Sequence, residues 1–208
     1  DLTAQGEGLR NTIGLVGRAG ATRGLLHWSG NFDEVQDFER QIRALAGGTG
    51  LLSDELYGSG SISDPLGDPK AGASVELDAL AAYVTSLDRA TPSPHRAGGQ
   101  PTAEGAAGRE VFVASGCTAC HYGASFSDED RDVLHDLGTL TPASGQRLFG
   151  PLVGVAVPSL LDAWNTAPYL HDGSAATLAE AVAAHEGVTL SEVELQQDRL
   201  ALDPRKDK

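Results

Sequence analysis

The chain has 208 residues, 40% hydrophobic but only 5% aromatic, enough for one or two domains with a core of Ala, Leu and Val. A net charge of −14 and a pI near 4.6 argue against nucleic acid or an anionic membrane as partner and favour a basic docking face. The longest apolar run is far too short to span a membrane, and no signal peptide is visible.

Residues 1–30 are Gly-rich and read as irregular loop. A helix is predicted from Asp33 to Leu45, capped by Asp33 or Asn31, with Val35, Phe38, Ile42 and Leu45 on one face. Residues 49–73 are turn-rich. Ser74 caps a second predicted helix to Leu87, with Leu77, Leu80, Tyr83, Val84 and Leu87 facing inward. Residues 91–101 form the clearest linker. Beyond it, a helix is expected from Thr102 to Ser115, where Gly105 and Gly108 would allow a close helix crossing. A short helix is expected near Asp128–His135, and residues 138–177 read as mostly irregular. Thr177 caps a helix to about Glu186, with Glu180 at the capping-box position. A last helix runs from Thr189 or Ser191 to about Leu202, and no strand is expected.

Directly after the helix at 102–115 stands Cys117-Thr118-Ala119-Cys120-His121. This is C-x-x-C-H, the attachment signature of a c-type haem. The spacing has a chemical reason: Cys at i and i+3 share one side of a helical turn, so both thiols can reach the vinyl groups of one porphyrin edge. The adjacent His then becomes the proximal iron ligand. A thioredoxin-like pair would want a βαβ context, and structural zinc four ligands, whereas the chain has no third Cys. Haem c is attached on the exported side of bacterial membranes, so a periplasmic or otherwise exported location is expected.

The second axial position lacks its common occupant, because the chain contains no Met. The candidates are His27, His95, His135, His171 and His185. Leu178, Val182 and His185 are spaced 4 and 3 and share a helix face with Ala181. This pattern favours His185, with His171 and His135 next.

Two stretches echo each other. Arg10 to Leu26-His27-Trp28-Ser29-Gly30 is followed by the helix with Val35; Val157-Pro158-Ser159-Leu160 to Tyr169-Leu170-His171-Asp172-Gly173 is followed by the helix with Val182. The repetition suggests two related domains. The expected architecture is therefore mainly α: a haemless or truncated cytochrome c-like domain at 1–90, a linker at 91–101, a cytochrome c-like haem domain with long loops at 102–203, and a tail at 204–208.

At Ala167-Pro168-Tyr169-Leu170-His171-Asp172-Gly173-Ser174 and Thr177-Leu178-x-Glu180-Ala181-Val182 the chain resembles the bacterial di-haem cytochrome c peroxidases, a family that includes the di-haem enzyme maturing methylamine dehydrogenase. With the haem motif and Val157-Pro158-Ser159-Leu160 the resemblance covers residues 100–200; Arg10-Asn11-Thr12 and Trp28-Ser29-Gly30 extend it to the first domain. The resemblance implies that the sixth ligand lies fourteen residues after the His of the His-Asp-Gly motif, which is His185 here, with His171 a pocket residue. It implies a calcium ion held by Asn11 and by the backbone carbonyls of Thr166 and Pro168, and it places Trp28 between two haems. The chain departs from the family in two ways. The attachment motif of the family's first haem would precede Arg10-Asn11 and is not in this chain. The family's Arg-Asn after the Pro-Thr-Leu stretch is Leu161-Asp162 here, which removes a propionate partner that Arg147 or Arg131 could replace.

Two axial imidazoles close the iron, so the expected function is electron transfer through one low-spin haem c to a redox partner with a basic face. The alternatives are a peroxidase or oxidase fragment whose catalytic haem lies outside this chain, with His171 and Trp28 on the pocket and electron path, and a structural subunit docked with other haem-bearing chains.

Overall fold

A computed structural model describes residues 7–15, 25–87, 89–128, 133–148 and 150–185. The helix expected at 189–202 lies outside these residues, as does Arg131. The described α-helices are α1 (Phe38–Ala44), α2 (Asp54–Tyr57), α3 (Val75–Thr85), α4 (Ala103–Ala114) and α5 (Leu178–Ala183). Two antiparallel hairpins join them: β1 (Arg96–Ala97) with β2 (Gln100–Pro101), and β3 (Gln146–Arg147) with β4 (Gly150–Pro151).

This corrects the expected fold class. The chain does not have a mainly α, cytochrome c-like fold; its helices are short and set in long irregular segments, and it does contain strands. The reason lies in the backbone. Twenty-six glycines and ten prolines interrupt helical runs. Non-glycine residues at positive φ, including Leu66, Phe126, Leu148 and Asp162, turn the chain repeatedly.

The predicted caps at Ser74 and Thr177 are present, and Thr102 caps a third helix. Ser74 accepts from the Leu77 amide, Thr102 from Gly105 and Thr177 from Glu180, and the Glu180 side chain returns to the Thr177 amide at 2.9 Å. The helix expected from Asp33 begins instead as a 3-10 turn at Val35–Asp37 before α1. Neither Asp33 nor Asn31 caps it; the Asp37 carboxylate accepts from the Asp33 amide at 3.0 Å. On α3, Leu77 is buried as expected and Ala81 is buried with it, but Tyr83 is 63% exposed. The linker closes into the β1–β2 hairpin through Gly98 and Gly99, both at positive φ, as such a tight turn requires. The small residues of α4 serve this hairpin rather than a helix crossing: a Cβ on Gly105 would stand 2.6 Å from the His95 carbonyl oxygen, while Gly108 faces open space. Around Asp128–His135 the described residues are not helical, and His135 instead bridges Val155.

The core sits in the first region. Leu26, Phe32, Val35 and Ala81 form one cluster; Leu52, Ile62 and Leu77 form a second. Buried charges pin the loops around them. Lys70 Nζ meets Asp37 Oδ1 at 2.5 Å, both side chains 1% exposed. The fully buried Glu39 accepts from the Leu51 and Leu52 amides and from Arg43 Nε.

The sequence echo is a structural one. Leu26 bridges Phe32, and Tyr169 bridges Ala175, each closing a loop with the same backbone. His27 and Leu170 take φ values of 67° and 68° at the second position; Gly30 and Gly173 take 57° and 75° at the fifth. The glycine amide donates to the second-position carbonyl in both loops, at 3.1 and 3.3 Å. Gly30 has no room for a Cβ, which would approach Leu134 Cδ2 and Leu25 Cδ1 to 2.9 Å. The loops connect through main-chain groups. Asn11 N donates to His171 O, Ala156 N to Trp28 O, and the Arg147 guanidinium to the carbonyls of Ser29 and Gly30.

Candidate haem site

α4 ends at a left-handed Gly116, and Cys117–Ala119 forms a 3-10 turn directly after it. The Cys117 carbonyl accepts from the amides of Cys120 and His121, so the motif wraps into the single turn its spacing predicts. Both cysteines are half-buried, and neither is in a disulfide. The chain then folds back, and Phe126, at φ 52°, turns its carbonyl toward the His121 ring.

His121 and His185 are brought together. Their ring centroids are 6.5 Å apart with an interplanar angle of 53°. Each ring is held through Nδ1: His121 to the Phe126 carbonyl at 2.9 Å, His185 to the Ala181 carbonyl at 2.7 Å. A carbonyl at Nδ1 makes that nitrogen the protonated one and leaves Nε2 with a lone pair, the form in which imidazole binds metal. Burial above all keeps the His121 pKa below the usual imidazole value, against the opposing pull of the Phe126 carbonyl, so the ring is neutral at pH 7.

The surroundings fit a large apolar group. Phe112 and Phe126 meet edge to face at 6.3 Å beside the motif. Val111 and Val113 on α4 are 64% and 53% exposed, and Leu178 and Val182 on α5 are 44% and 68% exposed. The expected apolar stripe Leu178–Val182–His185 is thus present but uncovered by protein. Among the described residues no group of three or more His, Cys, Asp or Glu side chains could hold a metal ion unaided. Two imidazoles with two thiols alongside suit a metal whose remaining donors come from a porphyrin.

The other histidines are engaged elsewhere. His27 Nδ1 pairs with Asn31 Oδ1 at 2.9 Å, and His135 Nε2 with Asp128 Oδ2 at 2.6 Å. His95 faces Glu104 at the surface, and the buried His171 pairs through Nε2 with Ser144 Oγ at 2.9 Å. Of the three residues expected at calcium two meet, Asn11 Nδ2 donating to the Pro168 carbonyl at 2.6 Å; the Thr166 methyl lies 3.9 Å from a Cβ placed on Gly14. Trp28 is buried, its Nε1 donating to the Asn11 carbonyl at 2.8 Å. Arg147 is committed to the Ser29 and Gly30 carbonyls and is not placed as a propionate partner. Sequence reasoning missed Ser144 and Arg10 beside His171; they meet across 134 residues, and no local pattern announces such a contact.

No known protein family, curated protein or solved structure matches the chain. Among the described residues no helix is long and apolar enough to cross a membrane.

Proposed function

We propose that the chain carries one covalent haem c, bound by Cys117 and Cys120 and ligated by His121 and His185, and that it serves electron transfer. The observation that carries this reading is the His121–His185 pair, with both Nδ1 atoms tied to carbonyls and both Nε2 atoms left for a metal. When bound, the group supplies reversible one-electron chemistry. The Phe126 and Ala181 carbonyls fix the tautomer and orientation of the two rings. Phe112, Phe126, Val113 and Val182 offer apolar surface that a bound haem would cover. The acidic surface steers a partner with a basic docking face, in an exported compartment where haem c is attached.

The likeness at residues 100–200 to the di-haem peroxidases supports the same ligand pair. Calcium belongs to the proposal as well: Asn11, with its amide turned to present oxygen, and the Thr166 and Pro168 carbonyls offer the hard donors that ion takes.

Pyridine haemochrome analysis of the purified protein should give one haem per chain. Its reduced absorption spectrum should be low-spin and unchanged by carbon monoxide. His185→Ala should convert it to a form that binds carbon monoxide. A colourless protein, or a His185→Ala variant with unaltered bands, refutes the assignment. Rapid turnover of peroxide by the unmodified chain would favour an enzyme over an electron carrier.

A further inference from the structure

His171 is 1% exposed, yet its Nδ1 has no hydrogen-bond partner. Arg10 repeats the pattern. Its Nη1 donates to the carbonyls of Leu9 and Ser144, both at 2.8 Å, while Nε and Nη2 are buried without an acceptor. Proton positions define what is missing. Ser144 Oγ accepts from the Thr141 amide at 3.0 Å, and its own proton is assigned to His171 Nε2, 2.9 Å away. Nε2 is then an acceptor, and Nδ1 carries the ring proton. Burial above all keeps this imidazole neutral.

Arg10 Nε–H, Arg10 Nη2–H and His171 Nδ1–H are therefore three buried donors with no acceptor. Both side chains are anchored on Ser144, and the amide of Asn11, next to Arg10, donates to the His171 carbonyl at 2.7 Å. The nearby carboxylates are engaged elsewhere: Glu7 accepts from Ser29 Oγ and Asn31 Nδ2, and Asp172 from the Ser174 amide. The unfilled edge of Arg10, Nε with Nη2, is the fork that binds a carboxylate through two parallel hydrogen bonds. Donors left buried and unpaired are costly, so an oxygen ligand is favoured there.

We propose that Arg10 and His171 form a buried carboxylate-binding site. Resting on the haem reading above, its occupant is a propionate of the haem held at Cys117 and Cys120; without haem it takes a free carboxylate. In the first case the site ties the first region of the chain to the cofactor of the second.

The test uses the full chain as purified, with haem labelled by carbon-13 at its carboxyl carbons through labelled 5-aminolevulinic acid. Infrared difference spectra are compared for the unmodified protein, Arg10→Gln and Arg10→Lys; the latter keeps the charge and loses the fork. Thermal melts are run with acetate replacing chloride at constant ionic strength. A propionate occupant predicts that the labelled carboxylate band shifts in both variants and that acetate leaves Tm unchanged. A free carboxylate predicts an unmoved band, with a saturable acetate-dependent rise in Tm that Arg10→Gln abolishes. If neither the band nor Tm responds, the donors are met by water and the proposal fails. Should both variants fail to fold, the labelled band of the unmodified protein, compared with that of a haem c peptide, decides together with its acetate titration. A colourless protein sinks the haem reading alone; the acetate response then still decides the carboxylate site.

Discussion

The two regions of the chain bury apolar surface in opposite ways. In residues 26–84 the helices cover one another: both hydrophobic clusters lie there, and Leu77 of α3 is fully buried. In residues 102–185 the helices stand open. No residue of α4 or α5 is buried, and Val111, Val113, Leu178 and Val182 face outward. The buried apolar residues there are Ala119, Tyr122, Val155, Val157 and Ala175, all on loops and turns. A shared loop geometry, repeated at 26–32 and 169–175, occurs beside a covered core in one region and in the region of uncovered helices in the other. Apolar helix surface that the first region covers thus stands open in the second.

The largest break in this comparison should come from removing the attachment thiols. In the Cys117→Ala/Cys120→Ala protein, hydrogen exchange should become fast across α4, the Cys117–His121 turn and α5, while α3 keeps its protection. Equal protection of all three helices would show that the second region needs no cofactor. The next effect belongs to the first region. Asp37→Asn leaves the Lys70 ammonium buried without its carboxylate and should cost about 3–5 kcal/mol in urea unfolding; a loss below ~1 kcal/mol would mean that water reaches the pair.

Acid should act on both regions. Burial lowers the pKa of His27 and of His171, in each case as the largest cause. Their folded values lie below the ordinary imidazole value of about 6.5, so the unfolded chain takes up protons first. The stability they confer is complete above that pH and drains away as pH falls below it. Melts from pH 7.5 to 5 should show Tm falling steadily; a flat profile would contradict the assignment of neutral buried rings. The smallest effect separates two capped helices. Thr177→Ala and Ser74→Ala each remove a cap worth about 1 kcal/mol. Exchange should rise through α5, which little else holds, and only in the first turn of α3, which Leu77 anchors. Equal fraying would erase the distinction.

Parts of this were legible in the sequence because they are local. The caps at Ser74 and Thr177 need only a hydroxyl or carboxylate within one turn of the amides it serves. The Cys117–His121 turn is contained in five residues. The helical spacing that placed Leu178, Val182 and His185 together also held, although the burial assumed for that face did not. Tyr83 was misplaced for a related reason: a helical stripe marks a direction, not the presence of a neighbour to cover it.

By itself the sequence determined where the helices capped by Ser74 and Thr177 begin, the wrapping of the cysteine motif and the recurrence of one loop, since each depends on neighbours along the chain. Only the tertiary structure decided that His185, and none of the other described histidines, stands across from His121. It also decided that Arg147 is spent on main-chain carbonyls and that Arg10 reaches Ser144. Those outcomes depend on long-range contacts and on the left-handed backbone turns that direct the loops, including non-glycine turns at His27, Phe126 and Leu170. Helical periodicity carries no record of either.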